Sequence, residues 1–187
     1  MFSPGWRAST RQGGVLALFT AGLLLGGVPS ALVLWLLSGL SEPLPEEGRW
    51  AAVLGVAAAG VLREFGALPL RLPQNARQIP VDVLQARPRL GTVQFGFELG
   101  TGVRTYVPSS LPYVVALGLV LSHPDAGVVL AAGLGFGAGR ALTAALHLWS
   151  RDPDWNARAA ERMPWLPRVA AAATLVALLL VSPWAGV

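Results

Sequence analysis

Residues 91–121, GTVQFGFELGTGVRTYVPSSLPYVVALGLVL, join the apolar density of a membrane-spanning helix to two charges, Glu98 and Arg104, and a proline-flanked turn, Val107-Pro108-Ser109-Ser110-Leu111-Pro112. Ionisable groups and interrupted backbone are costly in lipid and persist where protein or a polar cavity surrounds them. A straight helix over this stretch would run about 45 Å, longer than a hydrocarbon core of about 30 Å. The segment must therefore tilt, break or begin in the interface. Pro108 removes the helical donor from the Arg104 carbonyl, and Pro112 removes it from the Pro108 carbonyl, so the break is expected at Pro108–Pro112.

The flanking sequence places this stretch in a membrane protein. Of 187 residues, 53% are hydrophobic and 13% charged, with a mean hydropathy of +0.55, whereas soluble domains carry about a quarter charged residues. The net charge of +4 raises nucleic acid as a partner, but the basic residues sit at the ends of apolar runs and form no basic face, so none is expected. All fourteen basic residues are arginine, and cysteine is absent. Disulfides, thiol redox chemistry and thiolate metal sites are excluded with it.

Five spans follow, at about 14–37, 50–65, 93–121 (broken), 126–149 and 169–181. The fold class is an all-α, polytopic membrane helical bundle forming a single integral membrane domain over 1–187. The first run is longer than the apolar region of about 7 to 15 residues in a secretory signal, so it reads as an anchor that is retained. The loop 68–90, with Arg71, Arg77, Arg87 and Arg89 against Asp82, contains no stretch long enough to cross. Arginine excess marks the cytoplasmic side. It assigns the N-terminus, the 68–90 loop and the 150–168 loop to the cytoplasm and the C-terminus to the outside of the plasma membrane. Trp6, Trp149, Trp155 and Trp165 then fall at inner ends and Trp35, Trp50 and Trp184 at outer ends, where indole rings prefer the headgroup level.

The buried polar groups supply the candidate sites. If Ser109 or Ser110 caps a helix from Leu111, Pro112 lies in its first turn, where proline is tolerated. The exposed N–H groups would then attract an anion, making Ser109, Ser110 and Arg104 a candidate substrate site. The competing reading is a structural kink, in which the serines bond preceding carbonyls. Glu98 and Arg104 are six residues apart, on different helix faces. Arg140 in span four is a better partner for Glu98, as an intramembrane ion pair. Arg71 and Arg77 are available to anionic lipid or a cytoplasmic partner. Glycines four residues apart, at Gly22/Gly26, Gly96/Gly100, Gly133/Gly137 and Gly135/Gly139, permit close helix approach.

No catalytic residue, metal ligand set or cofactor is assigned. His123 and His147 lie at opposite ends of span four, and Ser122, His123 and Asp125 are adjacent only along the chain. Val28-Pro29-Ser30-Ala31-Leu32 matches Val107-Pro108-Ser109-Ser110-Leu111, a pattern that suggests a parallel repeat. Arg63-Glu64 and Pro73-Gln74-Asn75-Ala76-Arg77-Gln78-Ile79-Pro80 read as signatures without an attached activity.

The Pro108-Ser109-Ser110-Leu111-Pro112 turn resembles the proline-flanked cysteine turn of CcdA and DsbD transmembrane domains, which carry electrons across membranes. The resemblance covers about thirty residues, and without cysteine it implies a broken helix and no thiol transfer. In small size and glycine-rich spans the chain is also similar to MauE-like multi-pass proteins. The expected function is a carrier-like or transport-associated membrane protein with a polar or anion site at the broken helix. The alternative is a non-transporting assembly or interaction subunit. The lipid bilayer and a second copy or a membrane complex are the expected partners.

Overall fold

The computed structural model describes residues 12–73, 88–103, 109–150 and 165–183, with single positions between 154 and 163. The N-terminal arginines, Arg77, Arg104, Pro108, Trp155 and Trp184 lie outside the described residues. Among the described residues there are six α-helices and no strand. They are α1 (Gln12–Ser38), α2 (Glu46–Glu64), α3 (Pro88–Gly100), α4 (Leu111–Ser122), α5 (Ala126–Ser150) and α6 (Leu166–Val181), with a 3-10 turn at Gly39–Ser41. Two of them, α1 and α5, are long and apolar enough to cross a membrane, while α4 and α6 are shorter apolar helices.

Local chemistry explains the helix ends. Glu46 and Glu47 open α2 and Arg63 lies in its last turn, each matching the helix dipole. Gly66 at φ +78° closes α2, with Gly66 N–H donating to the Arg63 carbonyl at 2.9 Å and Ala67 N–H to the Leu62 carbonyl at 2.8 Å; glycine adopts this left-handed cap without a Cβ clash. Pro29 lies inside α1, which continues unbroken to Ser38. Its counterpart stretch differs in its described residues, because Ser109 and Ser110 precede α4 and Leu111 begins it. The two similar segments thus have different local structures.

The interruption of the third apolar stretch begins earlier than Pro108. Helix α3 ends at Gly100. There the Thr101 hydroxyl donates to the Glu98 carbonyl at 2.7 Å, and Gly102 takes φ +72°. A hydroxyl bonded back to the final turn and a left-handed glycine stop a helix without any proline. Pro112 sits in the first turn of α4, and Pro167 in that of α6.

The chain divides into two compact units. One contains residues up to Ser30, Asn75–Thr105 and Leu130–Trp155, and the other Ala31–Gln74, Tyr106–Val129 and Asn156–Val187. In the first, Leu23, Leu99 and Ala141 form a buried cluster flanked by Phe19 and Phe95, whose rings stack at 5.9 Å. Glycines bring these helices together. A Cβ on Gly26 would lie 2.9 Å from the Gly100 Cα, one on Gly96 3.1 Å from the Gly22 Cα, and one on Gly137 2.7 Å from the Leu23 carbonyl oxygen. The Gly22/Gly26 and Gly96/Gly100 spacings thus face one another, whereas a Cβ on Gly135 or Gly139 would meet nothing within 4 Å among the described residues.

In the second unit α2 packs against both α4 and α6. Gly60 makes room for Val114, whose Cγ2 would lie 2.5 Å from an added Cβ. Val53 is buried in the same unit, its Cγ1 4.0 Å from where a Cβ on Gly118 would lie.

Candidate functional site

The densest polar cluster of the second unit is centred on the last residue of α2. A carboxylate at a helix C-terminus faces the negative end of the dipole, so Glu64 needs donors from elsewhere. Its Oε1 accepts from Ser110 N–H at 2.6 Å, lies 2.7 Å from Ser110 Oγ and accepts from Arg63 Nη1 at 2.8 Å. The Glu64 side chain is 10% exposed. The Ser110 hydroxyl also lies 3.2 Å from the Gly60 carbonyl. With one proton it donates to one acceptor at a time, and the charged, nearer one binds it more strongly.

Ser110 is buried at the N-cap of α4, where its side chain makes no bond to the helix's own N–H groups. The anion at this helix end is the chain's own Glu64. Ser109 turns the other way, its Oγ accepting from Leu111 N–H at 3.3 Å. Of the three residues expected to form a substrate site, Ser109 and Ser110 sit together at the α4 start, and Arg104 lies outside the described residues.

Two guanidinium groups flank Glu64. Arg63 Nε donates to the Leu70 carbonyl at 3.3 Å, which folds the chain after α2 back toward the cluster. Arg168, in the first turn of α6, donates from Nε to the Glu64 backbone carbonyl at 3.3 Å, and its Cζ lies 5.9 Å from the Phe65 ring centroid. Arg168 thus satisfies a carbonyl at the C-terminal end of α2, and Arg63 lies in the last turn of that helix, an end that attracts cations. Tyr113, one turn into α4, donates to the Pro73 carbonyl at 2.6 Å. The described start of the 68–90 segment therefore lies against α4. Arg71 is exposed there, and Arg77 lies outside the described residues.

At the other end of α4, His123 closes the helix in the left-handed conformation, φ 49°. Its Nδ1 lies 3.1 Å from Ser38 Oγ, which donates to the Trp35 carbonyl at 2.7 Å. With the single Ser38 proton directed to the Trp35 carbonyl, the tautomer of His123 that carries hydrogen on Nδ1 can donate to Ser38. Ser41 Oγ reaches the carbonyls of Ser38 at 2.7 Å and Val120 at 2.8 Å. These hydroxyls are buried and committed to carbonyls, so Ser38 offers no nucleophile despite its histidine partner. Asp125 contributes its carbonyl to Val128 and Val129 at the start of α5.

In the first unit, Glu98 accepts from Gln94 Nε2 at 3.3 Å, and Arg140 lies over the Phe136 ring at 5.5 Å. Each is thus held in part by a residue four positions earlier on its own helix. Ser30 Oγ donates to the Thr101 carbonyl at 2.9 Å, tying α1 to the terminus of α3.

Sequence reasoning singled out Arg63-Glu64 without giving it a role, and it missed Arg168 as a partner. The legible signal was an acid at a helix C-terminus, a position that requires a compensating donor. Which donor could not be read locally, because Ser110 is 46 residues away.

No family model matches the chain, and no solved structure matches it. The chain is similar to the methylamine utilization protein MauF of Methylorubrum extorquens, at 31% identity over 142 residues, which cover 71% of this chain and 49% of MauF. The chain thus spans about half the length of this curated relative, and the similarity is consistent with a relation to the MauE-like proteins.

Proposed function

We propose that this chain is a five-span plasma-membrane protein that acts as a non-transporting assembly or interaction subunit, in a system of the kind MauF's name describes, methylamine utilization. The five spans are α1, α2, the interrupted α3–α4 stretch, α5 and α6, with the N-terminus cytoplasmic and the C-terminus outside. Support comes from the arginine distribution, from tryptophans at span ends, and from two helices of spanning length and composition.

The observation that carries the assembly reading is the Glu64 carboxylate at the start of α4. A helix end already holding an internal anion is satisfied, so the interruption has a structural purpose. Broken backbone is tolerated at membrane depth when protein surrounds it. The carrier reading is favoured by one observation, the half-buried Ser109 hydroxyl beside that end, which bonds only Leu111 N–H among the described residues.

Purification of the tagged chain from native membranes in mild detergent separates the two. An assembly subunit co-purifies with a larger membrane complex, and exchanging Arg71 and Arg77 for glutamine releases it. Recovery of the chain alone would count against this reading.

A further inference from the structure

We propose that Arg168 and Arg63 form a headgroup site for an anionic phospholipid where α2 ends and α6 begins. The proposal rests on the membrane reading above, which places both helix ends at the cytoplasmic face.

Glu64 Oε1 is engaged by Arg63 and Ser110, while Arg168 touches only the Glu64 backbone carbonyl and the Phe65 ring among the described residues. Among the described residues no carboxylate neutralises it. Arg168 also lies in the first turn of α6, where the helix dipole is positive and a cation is disfavoured. Arg168 therefore brings a positive charge that no described carboxylate offsets. Its guanidinium is nonetheless oriented, since Nε is fixed by the carbonyl and the plane rests by the ring. That leaves the terminal amino groups of an exposed side chain to meet an incoming anion.

The surroundings select the kind of anion. Leu62, Phe65, Trp165 and Val169, from the same two helix ends and their flanks, are 49–57% exposed. A soluble anion gains nothing from an apolar collar, whereas a phospholipid places its phosphate on the arginines and its acyl chains along these side chains. Basic pockets between helix ends on the cytoplasmic side have this combination.

The test uses the full chain purified in detergent and examined by native mass spectrometry with phosphatidylglycerol or phosphatidylcholine at equal mole fraction. The wild type should retain phosphatidylglycerol preferentially. Arg168→Gln should lower that retention about five-fold, as expected for one arginine near an anionic surface, whereas Arg168→Lys should keep most of it. Arg140→Gln, on α5, should leave it unchanged. Size-exclusion elution identical to wild type establishes that each variant is folded, and the wild type's preference between the two lipids carries the test if Arg168→Gln does not fold.

Equal retention of the two lipids, or equal retention by wild type and Arg168→Gln, would overturn the proposal. Displacement of the lipid by millimolar glycerol phosphate would also overturn it, because the site would then be one for a soluble anion. Alkaline carbonate extraction tests the membrane reading separately: release of the chain sinks that reading, whereas a retained chain without lipid preference sinks only the headgroup site.

Discussion

In the unit containing α3, helices meet backbone to backbone at glycines; in the unit containing α2, α4 and α6, they meet through a carboxylate, hydroxyls and guanidinium groups. In the membrane reading proposed above, lipid would supply no hydrophobic drive between helices, and both devices are recognised answers to that problem. They fail differently. A glycine contact depends on the absence of an atom and cannot tolerate its addition. A polar contact depends on the presence of an atom, and its loss strands a buried partner.

The largest effect is expected where a side chain is forced into backbone. Gly100→Val places a Cβ against the Leu23 carbonyl and 2.9 Å from the Leu23 Cα, and backbone does not move aside as a side-chain tip does. The expected loss is at the upper end of overpacking, about 3 kcal/mol or more. Denaturation of the purified chain in detergent measures it, and an unchanged midpoint would remove the glycine contact from the account. Glu64→Ala comes next, at about 2–3 kcal/mol, because Ser110 N–H loses its acceptor while buried. Glu64→Gln retains an acceptor oxygen and should cost less in the same assay.

Smaller effects sharpen the contrast. Gly135→Ala has the same chemistry as a substitution at Gly26, yet nothing lies within 4 Å of it. It should stabilise by about 0.4–1 kcal/mol, the usual gain from removing a helical glycine. A loss would reveal a neighbour for that face. Ser41→Ala removes the hydroxyl that reaches the Val120 carbonyl and should cost about 0.6 kcal/mol, typical of hydrogen bonds between helices in membranes. A cost comparable to Glu64→Ala would mean that this turn, and not the carboxylate, anchors α4.

Much of the architecture was legible because it depends on short-range chemistry. Long apolar runs at 14–37 and 126–149 are the core of α1 and α5. The Pro112 signal marks the first turn of α4, and the four-residue glycine spacing identifies Gly22, Gly26, Gly96 and Gly100 as contact points. The same spacing at Gly135 and Gly139 meets no neighbouring helix among the described residues, since sequence spacing gives a helix face but not what covers it. The early end of α3 was missed because prolines drew attention to 108–112, while Thr101 and Gly102 provide a quieter stop. Glu64 was missed as the anion of the α4 end for a different reason. Its partner is chosen by how α2 packs on α4, and no local pattern encodes that.

The central claim is that Glu64 holds the start of α4 from within. A double-mutant cycle of Glu64→Gln and Ser110→Ala, read by detergent denaturation, tests it most directly. A coupling of about 1 kcal/mol or more is expected, since Glu64→Gln removes the charge, and Ser110→Ala the hydroxyl, of one charge-assisted hydrogen bond. Additivity to within about 0.3 kcal/mol would contradict it and leave the α4 end open to an anion from outside the chain.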